Sequence, residues 1–145
     1  MKHVEIIEPD SLKTEYLLGV NRLLCQLSAT ANPMSYDQFK RLISSTTSHF
    51  YIAKDNDIVI GMCTLAVYDT PTGRKAWIED VVVESDARGM GLGRMLVKHA
   101  IQQAHRYAPV TLMLTSRPSR IAANKLYQDM GFESKETNVY KKILI

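Results

Sequence analysis

The run Trp77-Ile78-Glu79-Asp80-Val81-Val82-Val83, followed closely by Arg88-Gly89-Met90-Gly91-Leu92-Gly93-Arg94, restricts the fold more than any other feature of this chain. The first stretch reads as a buried strand. After the second, Leu92, Met95, Leu96, Ala100 and Ala104 recur at helical spacing. Strand, glycine turn and helix start, in that order, make an anion cradle. Glycine lets backbone N–H groups converge on a phosphate with no Cβ in the way, and the helix N-terminus adds partial positive charge. The pattern predicts a site for a pyrophosphate-bearing cofactor.

Two other phosphate-binding patterns fail. A dinucleotide fold places its glycines directly after the first strand, with an acid about 20 residues on. Here the glycines fall past the middle of the chain, and the stretch ending at Thr115 carries no such acid. A nucleotide P-loop closes on Gly-Lys-Ser/Thr, whereas Gly93 is followed by Arg94 and Met95. A purely structural strand-to-helix turn stays open on these residues alone.

At 145 residues the chain suits one domain, 1–145, with a substantial core. No apolar run approaches the ~20 residues of a membrane span, and the first residues do not read as a secretory signal. Cys25 and Cys63 form no disulfide or Cys-x-x-Cys pattern, which suggests buried free thiols and a cytoplasmic setting. Net charge is only +3, with Lys and Arg scattered, so a nucleic-acid face is not expected. The histidines do not stand at metal-ligand spacing from acids, and no metal is expected.

The expected order is a strand near His3–Ile7, a helix capped by Asp10 or Ser11 and running to about Ser28, and a second helix capped by Ser35. A hairpin follows, Phe50–Ala53 returning as Ile58–Val67, then a polar loop Asp69–Arg74 and the strand Ala76–Val83. The glycine turn opens a helix to about Ala108. A strand Val110–Thr115, a helix ended by Gly131, and a last strand Val139–Leu144 complete an α/β domain around a mixed sheet.

Arg88-x-x-Gly91-x-Gly93 after a Val-rich strand resembles the cofactor motif of the GCN5-related N-acetyltransferases. Asn124-Lys125-Leu126-Tyr127, on a helix ending in Gly131-Phe132, resembles that family's second landmark. The strand Ile78–Val83 is similar to that of the glucosamine-6-phosphate acetyltransferase branch. The resemblance covers Phe50 to the C-terminus well and the N-terminal third loosely. It implies the single-domain fold of that family: a mixed sheet with helices on both faces and a splayed pair of parallel strands. It also implies acetyl-CoA as cosubstrate.

The resemblance further implies where acetyl-CoA lies, between the splayed strands Ile78–Val83 and Val110–Thr115. Backbone groups of Val81, Val82 and Val83 would pair with the pantetheine arm as an added strand. A backbone N–H near Val82 would stabilise charge developing on the thioester oxygen. Arg88, Gly89, Met90, Gly91, Leu92, Gly93 and Arg94 would hold the pyrophosphate. Asn124 would hold the pantetheine arm or the neighbouring loop.

Acetyl transfer to an amine needs two proton movements. An alkyl ammonium has a pKa of ~10.4, so the attacking amine must first lose a proton. Glu79 is the first candidate to take it and Asp80 the second, both also candidate substrate contacts. Neighbours on a regular strand face opposite ways, so only one reaches the pocket unless a bulge intervenes. Tyr127, a phenol of unperturbed pKa ~10, is the candidate to stabilise the departing thiolate. Its place on the apolar stripe of its helix makes core packing the rival role.

The family's usual route is direct attack, with no covalent acyl-enzyme. The acceptor stays open among a small amine, an amino sugar and a peptide N-terminus. Leu114-Thr115-Ser116-Arg117-Pro118-Ser119 lacks the acid that the amino-sugar branch carries in that region. A non-catalytic acetyl-CoA-binding module of the same fold is the alternative function. The C-terminal strand suggests a homodimer.

Overall fold

The structure, a computed structural model, describes residues 3–145. These form two compact units, one extending to Thr115 and the other spanning Ser116–Ile145. The first unit is built on a five-stranded sheet in the order β1 (Val4–Ile7), β2 (Ser48–Asp55), β3 (Ile58–Thr70), β4 (Gly73–Val83) and β5 (Thr111–Met113). Neighbours are antiparallel from β1 to β4, and β4 and β5 are parallel. A parallel pair requires a crossover, which α3 (Leu92–Ala104) provides. Helices α1 (Thr14–Leu27) and α2 (Tyr36–Ile43) lie between β1 and β2 in sequence.

Alternation along the strands sorts their side chains onto two faces. Phe50, Ile52, Met62 and Val82 join Tyr16, Val20 and Leu23 of α1 and Phe39 of α2 in one buried cluster. Phe39 meets Phe50 edge-on, ring centroids 6.0 Å apart. Gly19 lets α1 settle on β3, since a Cβ there would stand 2.7 Å from the Val59 Cβ. On the opposite face Gly61 lies beneath Leu92 and Leu96 of α3, and the Cys63 thiol is 3.9 Å from the Leu96 carbonyl. The expected helices on both faces are present.

Several boundaries differ from expectation for identifiable reasons. Neither Asp10 nor Ser11 caps α1. Leu12 packs against the core, and the chain stays extended through Lys13 before the helix begins. Ser35 does cap α2, in a reciprocal capping box with Gln38. The polar stretch expected as a loop between β3 and β4 is mostly strand. Thr70 pairs with Gly73 across a tight turn, and Arg74 Nε bonds Asp69 at 3.0 Å, so the ladder runs to the tip. Helix α3 stops at Ala104 and passes into a single 3₁₀ turn, His105–Tyr107.

The second unit holds α4 (Ile121–Asp129), which ends at Gly131, φ +96°. The Phe132 N–H returns to the Tyr127 carbonyl at 3.0 Å, closing the helix end. The strand expected at Val139–Leu144 does not form: this segment joins no ladder, and Tyr140 and Leu144 are more than four-fifths exposed. Strand propensity describes fitness for a pleated, half-buried surface and creates no strand without a paired neighbour. Among the described residues, no helix is long and apolar enough to cross a membrane.

Candidate functional site

Strand β4 changes character partway along. Lys75, Ala76 and Trp77 pair with Thr111, Leu112 and Met113 of β5. There β5 ends, while β4 continues to Val83. Among the described residues, Ile78–Val83 therefore keep β3 on one side and have no strand on the other. Backbone groups along that edge are open to a peptide-like ligand lying parallel to them. Val82 contributes its side chain to the core at the same time. The parallel β4–β5 pair expected from the sequence is present, and its pairing ends at Trp77 and Met113.

A β-bulge falls in the unpaired half. Glu79 stands opposite Thr64 and Val82 opposite Met62, so Asp80 and Val81 together oppose Cys63. Asp80 takes φ +51°, a left-handed conformation in which aspartate is one of the tolerated non-glycine residues. Glu79 shares the face of its partner Thr64 and of Phe50 beyond it, the face that carries α1 and α2. Because of the bulge, Glu79 and Val82 lie on one face of β4 although they are three positions apart. Burial, and then the neighbouring Asp80 charge, raises the Glu79 pKa above the ordinary carboxylate range.

The glycine turn follows the 3₁₀ turn Ser85–Ala87. Gly89 and Gly91 have φ of +82° and +78°, and a Cβ on either would meet open space. Glycine is needed at both for conformation rather than for room. Gly91 is the N-cap of α3, no side chain caps that helix, and its first turn carries no acid. The N–H groups of Leu92 and Gly93 precede the first intrahelical bond, donated by Met95 to Gly91 at 3.1 Å. Exposed Arg88 and Lys98 add positive charge around the turn. The donors and the open surface fit a pyrophosphate, and the β4 edge fits the amide-bearing arm of a coenzyme.

Two side chains from α1 brace the approach to the turn. The Gln26 amide donates to Glu84 and accepts from the Ser85 N–H, both at 2.9 Å. Arg22 donates to the Val59 carbonyl at 2.7 Å and approaches the Glu84 carboxylate at 3.6 Å. Nothing local in the sequence announces these links, because the partners lie far apart along the chain.

The same sheet face carries Tyr68 and Trp77 beside Thr64 and Glu79. The Trp77 indole N–H donates to the Tyr68 hydroxyl at 2.7 Å. Sequence reading passed over both aromatics. The available signal was alternation, since Trp77 and Glu79 are two residues apart and so share a face.

The remaining expected site residues, Asn124 and Tyr127, belong to the second unit. The Asn124 amide donates to the carbonyls of Arg117 and Arg120 at 2.9 and 2.8 Å. Asn124 thus holds the turn that leads into α4. Tyr127 is buried, and its ring meets Phe132 edge-on at 6.2 Å.

Of the two cysteines expected to be buried, Cys25 is exposed because it falls on the outer side of α1. Cys63 is buried, and burial pushes its thiol pKa up to about 12, so it stays protonated. Among the described residues, no group of three or more His, Cys, Asp or Glu could hold a metal ion. His49 does bond an acid, Glu8 at 3.0 Å, and also the Tyr107 hydroxyl at 2.9 Å.

Comparison with known proteins is consistent with this geometry. The chain is 31% identical over 99 residues to N-acetyltransferase 8B of Rattus norvegicus, a match covering 67% of this chain and 45% of that protein. It is 29% identical over 104 residues to the [ribosomal protein bS18]-alanine N-acetyltransferase of Escherichia coli K12, covering 72% and 67%. The chain thus spans less than half the length of the first of these relatives. Glucosamine-6-phosphate N-acetyltransferase from Arabidopsis thaliana shares the fold, with a TM-score of 0.77, 18% identity and 96% and 97% of the two chains covered. So does an aminoglycoside acetyltransferase from an uncultured soil metagenomic sample, at 0.85, 14%, 99% and 97%. Residues 20–132 match the acetyltransferase (GNAT) family, and the chain belongs to it.

Proposed function

We propose that the protein transfers the acetyl group of acetyl-CoA to a primary amine by direct attack. The observation that carries this reading is the end of β4–β5 pairing at Trp77 and Met113, with the glycine turn and helix start following on the same strand. The cosubstrate supplies an activated acetyl thioester. Val81, Val82 and Val83 hold its pantetheine arm through their backbone groups, and Arg88 to Arg94 hold its pyrophosphate.

Glu79 removes the proton from the acceptor ammonium, directly or through one water. A carboxylate raised toward neutrality is a better match to that task than an ordinary one. Asp80 keeps it raised by like-charge repulsion. Tyr127 donates a hydrogen bond that strengthens as the thiolate departs. A covalent acyl-enzyme has no support in the thiols, since Cys63 is held protonated and Cys25 lies on the exposed side of α1.

The test is calorimetric titration of acetyl-CoA into the protein, followed by a thiol-release assay across primary amines. Saturable binding and amine-dependent thiol release are expected. Absence of binding would reduce the glycine turn to a structural element and end this reading.

A further inference from the structure

The sheet face next to Glu79 has a graded chemistry. Lys75, Trp77 and Glu79 lie on this face at successive alternate positions of β4, and Tyr68, Ala66 and Thr64 stand opposite them on β3. Tyr68 is 44% exposed and Trp77 partly so. Their hydrogen bond spends the indole N–H on the Tyr68 oxygen and ties the two rings together. Glu79 and Asp80 put negative charge at the end nearer the bulge.

Resting on the acetyltransferase reading above, we propose that Trp77 and Tyr68 select the acceptor. The favoured acceptor is a primary ammonium carrying a flat apolar group, with the ammonium at Glu79 and the flat group over the two rings. Residues two apart on a strand are separated by about 7 Å. That spacing suits an amine separated from an aromatic ring by two carbons, whether on a small molecule or on the first residue of a peptide. The Glu79 carboxylate attracts the ammonium, and aromatic surface rewards a planar partner through burial and stacking. A phosphorylated amino sugar is disfavoured, because it offers the two rings no flat apolar group.

The test compares 2-phenylethylamine, ethylamine and glucosamine 6-phosphate by thiol release, in wild type, Trp77→Ala and Trp77→Phe, with acetyl-CoA affinity measured for each by calorimetry. Wild type is expected to prefer 2-phenylethylamine over ethylamine by at least about tenfold in kcat/KM, in keeping with burial of one aromatic ring. Trp77→Ala should erase most of that preference through KM, and Trp77→Phe should restore part of it. Acetyl-CoA affinity should stay the same in all three. The selection proposal is overturned if the protein binds acetyl-CoA but turns over neither amine, prefers the phosphorylated sugar, or keeps its preference in a folded Trp77→Ala protein. Failure of the underlying reading looks different: wild type would not bind acetyl-CoA at all.

Discussion

The two halves of β4 are one strand held in two ways. From Gly73 to Trp77 the strand is locked by β3 and, near the end of that stretch, by β5. From Ile78 to Val83 it is held by β3 alone, through a ladder that slips by one residue. The first half spends its hydrogen bonds on the sheet. The second sends Ile78 and Val82 into the core and leaves one backbone edge without a strand partner. Substitutions on the buried Ala76 face of the first half should therefore register in stability, and those on its Trp77 face, or in or just after the second half, in binding and turnover.

The sharpest division should come from Gly91→Glu. It places a carboxylate where the pyrophosphate is proposed to lie and forces a side chain into φ +78°. Like-charge placement against a bound anion costs several kcal/mol, so acetyl-CoA affinity should fall on the order of 10³-fold in calorimetry. The left-handed backbone costs only about 1–2 kcal/mol of stability, and circular dichroism should show a folded protein. A folded variant with wild-type affinity would break the comparison.

Next in size is Glu79→Gln, expected to lower kcat by about 10²-fold, the lower end for loss of a general base. Burial and Asp80 both penalise the carboxylate, so the acid limb of the wild-type rate profile should lie above the usual glutamate value and vanish in the variant. The stability sign is the reverse of the activity sign. The folded state favours the protonated form, so the contribution of Glu79 is present at pH below about 4.3 and lost as pH rises through the raised value. A pH–rate profile unchanged by the substitution would remove Glu79 from the chemistry. Tyr127→Phe in the same assay should cost about tenfold in kcat with KM unchanged, a loss of one hydrogen bond made to the leaving group.

The smallest functional effect belongs to the locked half. Ala76 is wholly buried, and Ala76→Leu should cost about 1–3 kcal/mol by overpacking in a denaturant titration. Acetyl-CoA affinity per folded molecule should barely move. If affinity fell and stability held, the roles assigned to the two halves would be reversed.

What the sequence made legible follows from how local each feature is. The glycine turn and the start of α3 depend on a handful of consecutive residues, and both stand where the spacing puts them. Glu79 and Asp80 were recognisable as carboxylates at a strand end. Which one shares the face of α1 and α2 was not recognisable, because the bulge is set by pairing with Thr64 and Met62 on another strand. Trp77 and Tyr68 meet only through a hairpin whose tip looks like a polar loop, as do Asp69 and Arg74. The Gln26–Glu84 brace depends on the placement of α1, and α1 itself begins later than its polar residues suggest because Leu12 is drawn to the core. At Val139–Leu144 the pattern was right for a strand but had no neighbour to make it one.

The bulge at Asp80 has one more consequence, best seen by counting. Between Thr64 and Met62 there is one residue on β3, and between Glu79 and Val82 there are two on β4. A chain shortened by Asp80 alone would pair Val81 with Cys63 and leave Glu79, Val82 and every buried neighbour on its present face. The ladder would then run without interruption, and the left-handed backbone at that point would be gone. Asp80 is thus a supernumerary position: the architecture closes without it, and its presence lengthens β4 by one step only where the strand has no second partner.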